Sequence, residues 1–328
     1  MPLAATAAAA LALALPDLTA IRAAHARIAP HIHRTPVMTS RSMDQLVGAT
    51  LYFKCENFQK VGAFKARGAC NAVFSLTNEA AALGVVTHSS GNHGAALAWA
   101  AQRRGIPAHV VMPDNAPAIK VANVKGFGGI VHFCAPTLAA RETLCAEVAR
   151  TTGAVLVHPY DDARVIAGQG TAALELLQDA PELDIVVAPV GGGGLLSGTA
   201  IAAKGVMPSI TVLGAEPLGA DDAARSLAAG ILQPPPAART IADGLRGALS
   251  PRTFRALSTH VAAIGTCSED AIVAAMRTTW ERMKIVIEPS SAVPLACMLE
   301  GSLAVAGKRV GVILTGGNVD LDHLPWQT

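Results

Sequence analysis

Five short stretches of this 328-residue chain combine residue types that could do chemistry. The first is Gly191-Gly192-Gly193-Gly194, which follows the apolar run Ile185–Val190 and precedes a helical pattern starting near Leu195. Consecutive glycines let backbone N–H groups converge on an anion, and a helix N-terminus adds partial positive charge. The spacing is not the dinucleotide GxGxxG, because Leu196 stands at the third glycine, and no P-loop pattern occurs. A plain strand–helix turn is the alternative. The second stretch, Gly62–Ala69, holds Lys65 between Phe64 and small residues. Partial desolvation there lowers an amine's pKa and makes it a nucleophile and base; otherwise Lys65 is a surface lysine with a buried stem. The third, Ser89-Ser90-Gly91-Asn92-His93-Gly94, offers hydroxyls, an amide and N–H groups at a helix start, suited to a carboxylate or simply to an N-cap. The fourth, Thr315-Gly316-Gly317-Asn318, ends the apolar run Arg309–Leu314 with a hydroxyl and glycines. In the fifth, Glu216 to Asp222, two carboxylates and a backbone carbonyl make an oxygen-rich set for Mg²⁺, Ca²⁺ or Mn²⁺, or else an acid-decorated helix start.

The surrounding pattern supplies the elements to position them. Short apolar runs at Val85–Thr87, Ala108–Met112, Ile130–Phe133 and Val155–Val157 alternate with helical segments at Asn92–Arg104, Ala118–Lys125 and Leu138–Arg150. The alternation continues with a helix near Gly170–Gln178, a strand Ile185–Val190, a helix Leu195–Ala203 and a strand Thr211–Ala215. Helices Glu269–Met283 and Ala292–Leu299 and the strand Arg309–Leu314 close the series. Such alternation predicts an α/β fold with open, mainly parallel twisted sheets and helices on both faces. Ligands of such sheets bind at the carboxyl ends of strands, which is where four of the five stretches fall.

Composition narrows the class. Hydrophobic residues are 51% and charged residues 15%, which excludes intrinsic disorder. The 26 lysines and arginines against 24 acids leave +2, without a basic block, so a nucleic-acid partner is not expected. The apolar stretch Leu3–Pro16 is too short to span a bilayer and lacks a positive n-region, so neither a membrane anchor nor a secretory signal is expected. Asp17 caps a helix on which Ile21, Ala24 and Ile28 recur. The six cysteines form no CxxC pair and read as free thiols of a reducing, cytoplasmic compartment.

Taken together, these stretches resemble the fold-type II pyridoxal-phosphate enzymes, within them the serine/threonine dehydratase and serine racemase family. The resemblance spans about Arg34 to Leu321. It rests on Lys54–Lys60, the Lys65 stretch, Ser89–Gly94, Ala167–Thr171, Gly191–Gly194, Thr240–Gly244, Glu281–Lys284 with Ile287-Glu288-Pro289, and Gly316–Asp320. It implies a two-lobed, tryptophan synthase beta-like fold: residues 1–83 and 160–328 form a large cofactor-binding lobe, 84–159 an inserted small lobe, with the active site between them. A homodimer is the family expectation, and the end of the chain soon after Asp320 leaves no room for a feedback domain.

The resemblance also implies roles. Lys65 forms the Schiff base with pyridoxal phosphate, Phe64 flanks its ring, and Asn92 faces the ring hydroxyl. Gly191, Gly192, Gly193, Gly194 and Leu195 cradle the phosphate, and Thr315, where the family more often has serine, meets the pyridine nitrogen. Ser90 lies on the ring face opposite Lys65, as the second acid/base that a racemase needs. Ser89 and the Asn92-His93-Gly94 loop bind the substrate carboxylate, and Glu216, the Ala220 carbonyl and Asp222 hold a divalent cation. The implied reaction is loss of the β-hydroxyl of L-serine, L-threonine or 3-hydroxyaspartate as water, giving a keto acid and ammonia. Serine racemisation and a non-catalytic ligand-binding relative are the alternatives. A β-carboxylate substrate calls for an arginine fork, for which Arg141 and Arg246 are candidates. Tyr160 and Ala63 lean the same way, toward 3-hydroxyaspartate dehydratases.

Overall fold

The computed structural model describes residues 14–89 and 91–327, so Ser90 and the apolar terminus up to Leu13 lie outside the described residues. Asp17 accepts from the Ala20 N–H at 2.7 Å and opens the helix Leu18–Ile28, whose Ile21, Ala24 and Ile28 are buried. Two sheets follow from the strand–helix alternation. One orders its strands β1 (Val37–Met38), β2 (Thr50–Cys55), β10 (Arg309–Leu314), β7 (Ile185–Pro189), β8 (Thr211–Pro217) and β9 (Ala263–Cys267). Only β1 runs antiparallel to its neighbour. The other is wholly parallel and orders β5 (Ile130–Cys134), β4 (Ala108–Pro113), β3 (Val85–His88) and β6 (Val155–Leu156).

The larger sheet is covered on both faces. Along β7, Ile185 and Val187 join one core while Val186 and Ala188 join another, as period-2 alternation demands. Small residues set the spacing of the helices. A Cβ on Gly168 would lie 2.6 Å from the Arg67 carbonyl oxygen, and one on Gly198 would lie 2.6 Å from the Gly170 nitrogen. The helix Ala163–Asp179 therefore packs closely between the helices Lys65–Phe74 and Gly194–Val206. The first residues of those two outer helices are Lys65 and the last glycine of the run. With about a fifth of the chain alanine, this close packing is how an aromatic-poor core is filled.

The helix expected near Gly170 begins earlier, at Ala163, because Asp162 accepts from the Arg164 N–H at 2.8 Å and caps it. Among the described residues no helix is long and apolar enough to cross a membrane. All six cysteines are free, and five are buried.

Candidate active site

Four loops meet at the carboxyl ends of β2, β3, β7 and β10. The Lys65 loop is tied to the Thr315 loop by a bridge between Ala63 and Gly316 and by the Phe64 N–H donating to the Thr315 carbonyl at 2.9 Å. Lys65 is half-buried, with Nζ 5.1 Å from the Phe64 ring centroid and donating to the Pro159 carbonyl at 2.9 Å. Burial brings its pKa down to about 8, with the Glu288 carboxylate opposing the shift. Near neutral pH a usable fraction of this amine is therefore unprotonated.

The glycine run turns β7 into the helix Gly194–Val206, with Gly193 at φ +86° as its N-cap. The first N–H groups of a helix lack intrahelical acceptors and face outward. Substituents are barred from this loop, since a Cβ on Gly191 would lie 2.7 Å from Leu245 Cα and one on Gly192 would strike the Tyr160 ring. The donor set fits a phosphate, and Thr315 fits a ring nitrogen: its hydroxyl is buried and has no hydrogen-bond partner among the described residues.

Asn92 opens the helix Asn92–Arg104, and its side chain is held from both ends. Its Nδ2 donates to both Glu288 carboxylate oxygens at 3.0 and 3.1 Å, and its Oδ1 accepts from Asn318 Nδ2 at 2.9 Å. Glu288 is buried, and burial followed by the charge of Asp243 pushes its carboxyl up to about 7. Glu288 and Asn318 stand in the matched motifs, yet sequence reasoning gave neither a place in the site. The available signal was an acid directly after the apolar run Ile285–Ile287 and directly before a helix-starting proline. Nearby, Lys120 and Asp243 form an ion pair that links the helix Ala118–Gly126 to the segment Asp243–Leu245.

Ser89 accepts the Gly91 N–H at 3.3 Å. Gly94 packs tightly on β4, where a Cβ would lie 3.0 Å from Val110. His93 is buried, with Nε2 3.3 Å from the Val157 carbonyl and Nδ1 unpartnered; burial holds its pKa far below the ordinary value. His88, His158 and Tyr160 form an edge-to-face row, with centroids 5.2 and 4.6 Å apart. His158 Nδ1 accepts the Asp161 N–H at 2.9 Å, and burial lowers its pKa to about 4, so it is neutral with its proton on Nε2. Burial pushes the Tyr160 phenol up to about 12. Arg141 donates through Nε to the Thr137 carbonyl at 3.4 Å, and its charge and that of Glu142 act on His88 and Tyr160 with opposite signs. Arg246 is instead engaged locally, donating through Nε and Nη2 to the Thr240 carbonyl at 3.1 and 2.6 Å.

Behind Lys65, Arg67 is fully buried and donates to Glu56 at 2.7 and 2.8 Å and to Glu175 at 2.9 and 2.8 Å. Lys54 completes the quartet by donating to Glu175 at 2.7 Å. At the end of β8, Glu216 is buried and accepts from the Ala223 and Ala224 N–H groups at 3.1 and 2.8 Å. Its carboxyl is pushed up to about 8 by burial, and that of Asp222 is raised by the same cause. Asp222 accepts the Leu249 N–H at 3.1 Å, and a Cβ on Gly193 would lie 2.8 Å from the Leu249 side chain. The acidic pair thus backs the glycine loop. Among the described residues no three His, Cys, Asp or Glu side chains converge as metal ligands, so a cation here would need the Ala220 carbonyl and water.

Comparison with known proteins accords with this geometry. Residues 28–316 match the family described as pyridoxal-phosphate dependent enzyme. The chain is 53% identical over 312 residues to the beta-hydroxyaspartate dehydratase of Paracoccus denitrificans (strain Pd 1222), covering 95% of this chain and 99% of that protein. It is 50% identical over 313 residues to the serine racemase of Arabidopsis thaliana, covering 94% and 95%. The structure of maize serine racemase superposes with a TM-score of 0.92 at 50% identity, covering 94% of this chain and 95% of that one.

Proposed function

This chain belongs to the pyridoxal-phosphate-dependent enzymes, and on that premise we propose a dehydratase that removes the β-hydroxyl of 3-hydroxyaspartate to give a keto acid and ammonia. The substrate choice rests on the proposal that Arg141, whose charge acts on His88 and Tyr160, turns its guanidinium toward this row. A guanidinium there suits a second carboxylate, which L-serine and L-threonine lack. The similarity to a beta-hydroxyaspartate dehydratase supports the same choice.

Gly191–Gly194 and Leu195 would hold the cofactor phosphate, Phe64 and Asn92 its ring, and Thr315 its ring nitrogen. Bound there, pyridoxal phosphate supplies an electron sink that acidifies the substrate Cα–H. Lys65, its amine pKa lowered to about 8, would anchor the cofactor and serve as the base for the substrate Cα proton. The Thr315 hydroxyl would meet the ring nitrogen without the full negative charge a carboxylate would bring, which suits elimination of the β-hydroxyl. Glu288 and Asn318 fix the Asn92 amide, which would thereby be held toward the ring. Ser89 and the Asn92-His93-Gly94 segment would take the α-carboxylate, with Gly94 allowing that segment to pack on β4.

Ser90 is proposed as the acid on the face opposite Lys65. The similarity to serine racemases supports a side racemase activity through that pair. Chiral chromatography of residual serine checks it, and absence of D-serine under all conditions removes it. Glu216, Ala220 and Asp222 are proposed to hold Mg²⁺, Ca²⁺ or Mn²⁺, because two buried acids with raised pKa values are relieved by a cation. We also propose the division into lobes 1–83 with 160–328 and 84–159, which the separate four-stranded sheet of β3 to β6 supports. Free cysteines support a cytoplasmic location, and sedimentation velocity checks the homodimer.

The deciding experiment is a keto-acid release screen over L-serine, L-threonine and the 3-hydroxyaspartate isomers, with and without Mg²⁺. The expected result is highest kcat/KM on a 3-hydroxyaspartate. Arg141→Gln should lower that value by about 10–100-fold, the worth of a charged hydrogen bond, while serine turnover stays nearly constant. Equal loss on both substrates overturns the role of Arg141.

A further inference from the structure

Among the described residues, two that are not glycine hold a positive φ: Val61 at 56° and Lys284 at 59°. Lys284 caps the C-terminus of the helix Glu269–Met283, where a left-handed residue ends the hydrogen-bond ladder. Val61 ends no α-helix. It is the third residue of the turn Gln59–Gly62, which the Gly62 N–H closes by donating to the Gln59 carbonyl at 2.9 Å. A left-handed third position favours glycine or asparagine, and a β-branched residue suits it poorly because Cβ crowds the carbonyl. Such strain persists only where the surroundings over-determine it.

Val61 is held at both its side chain and its backbone. The half-buried side chain packs on the apolar cluster shared by the helices Lys65–Phe74 and Asn92–Arg104. Its carbonyl accepts from Asn318 Nδ2 at 2.8 Å, and next to it the Gly62 carbonyl accepts the Gly317 N–H at 3.0 Å. The same Nδ2 donates to Asn92 Oδ1 at 2.9 Å. An amide nitrogen carries two hydrogens in one plane, so a carbonyl that engages one of them aims the other. A Cβ on Gly62 would lie 2.5 Å from Asn318 Oδ1, so the glycine makes room for this approach. We propose that Val61 is a positioning residue, whose left-handed backbone turns its carbonyl onto Asn318 and so aims the second amide hydrogen at Asn92. The β-branched side chain supplies the packing that holds the strain, and the helix that Asn92 opens is part of that packing. The effect on the reaction rests on the place proposed for Asn92 beside the cofactor ring, whereas the link from Val61 to Asn318 does not.

The test compares holoenzyme variants in keto-acid release, in the circular dichroism of the cofactor's visible band and in urea unfolding. Val61→Gly is free of strain but lacks the side chain. It should lower kcat by about 10–100-fold and shrink the dichroic band. KM should change less, and the urea midpoint should stay near that of the wild type, because strain relief offsets lost packing. Val61→Thr keeps the branched shape and should stay within about twofold of the wild type. On an Asn318→Ala background, Val61→Gly should cost less than about twofold. An unchanged kcat in Val61→Gly, a full loss on the Asn318→Ala background, or a urea midpoint that falls in step with kcat each overturns the inference. Should Val61→Gly fail to fold, Val61→Ala takes its place with the same outcomes. Asn92→Ala with an unchanged band and kcat overturns the reading of Asn92 alone, and the coupling to Asn318 then decides the role of Val61.

Discussion

Two regions of this molecule bury carboxylates, and they resolve the cost in opposite ways. Behind Lys65, Glu56 and Glu175 are matched by Arg67 and Lys54, two anions against two cations within 2.9 Å. Thr35 adds a hydroxyl to Glu56 at 2.5 Å, and His25 approaches Glu175 at 3.3 Å. Salt-bridging holds the Glu175 carboxyl well below its ordinary range even though burial alone would raise it. At the end of β8, Glu216 and Asp222 accept, among the described residues, from backbone N–H groups, while Arg225 is bonded to Asp221 at 2.9 Å. There burial wins and both carboxyls rise. The first region is electrostatically complete within the chain and stiffens the helix that carries Lys65. The second is relieved by protonation of its carboxyls, or by the cation proposed for it. A buried carboxylate therefore says little until its partners are counted.

The comparison breaks most visibly at Arg67. Arg67→Met should destabilise the protein by about 3–5 kcal/mol, since it leaves Glu56 and Glu175 buried with one cation between them; urea unfolding of the holoenzyme measures it. A loss under 1 kcal/mol would mean that the quartet is not self-compensating. Next in size is the cation effect. Adding Mg²⁺ or Mn²⁺ at about 100 times its Kd should stabilise the wild type by about 2.7 kcal/mol and leave Glu216→Gln unmoved. Thermal melts with and without chelator read this, and an equal response in both proteins would place the cation elsewhere.

Acid titration sharpens the contrast. A carboxyl whose folded pKa lies below its unfolded value of 4.5 contributes stability that is present above pH 4.5 and lost as pH falls through the folded value. Wild-type stability should thus decline below about pH 4.5, and Glu175→Gln should show a shallower acid limb in urea midpoints. An identical limb would assign acid lability to other carboxylates. The smallest effect is expected for Glu216→Gln without metal. Relief of acid–acid repulsion and one weakened amide hydrogen bond should nearly cancel, within about 1 kcal/mol. A loss as large as that of Arg67→Met would make Glu216 a structural acid and end the contrast.

How much of this was legible from the chain depends on locality. The alternation from Val85 onward appears at nearly the expected bounds, because short β-branched runs and helical spacing carry their own signal. β2 and the helix Lys65–Phe74 did not stand out. β2 contains the buried Lys54, and the helix buries Arg67 and Asn71, so neither shows a clean apolar pattern. Their polar residues are affordable inside only because partners arrive from far along the chain; Glu175 lies 121 residues from Lys54. β9, Ala263–Cys267, is short and half apolar, and its pairing with β8 is what makes it a strand. Of the candidate site, Lys65, Asn92, the glycine run and Thr315 were found from their residue types and neighbours. Glu288 was not given a place there, since its significance lies in meeting an amide 196 residues away.

The sequence by itself determined the turn that presents the glycine N–H groups, the lysine at its helix start, and the order of strands and helices. These follow from backbone freedom, capping and periodicity, which act within a few residues. Tertiary structure alone decided which acids are paired with cations and which are not, how far the Lys65 amine is lowered, and which histidines and tyrosine form one row. Those are consequences of desolvation and of charges brought together from distant segments, and no local pattern encodes them.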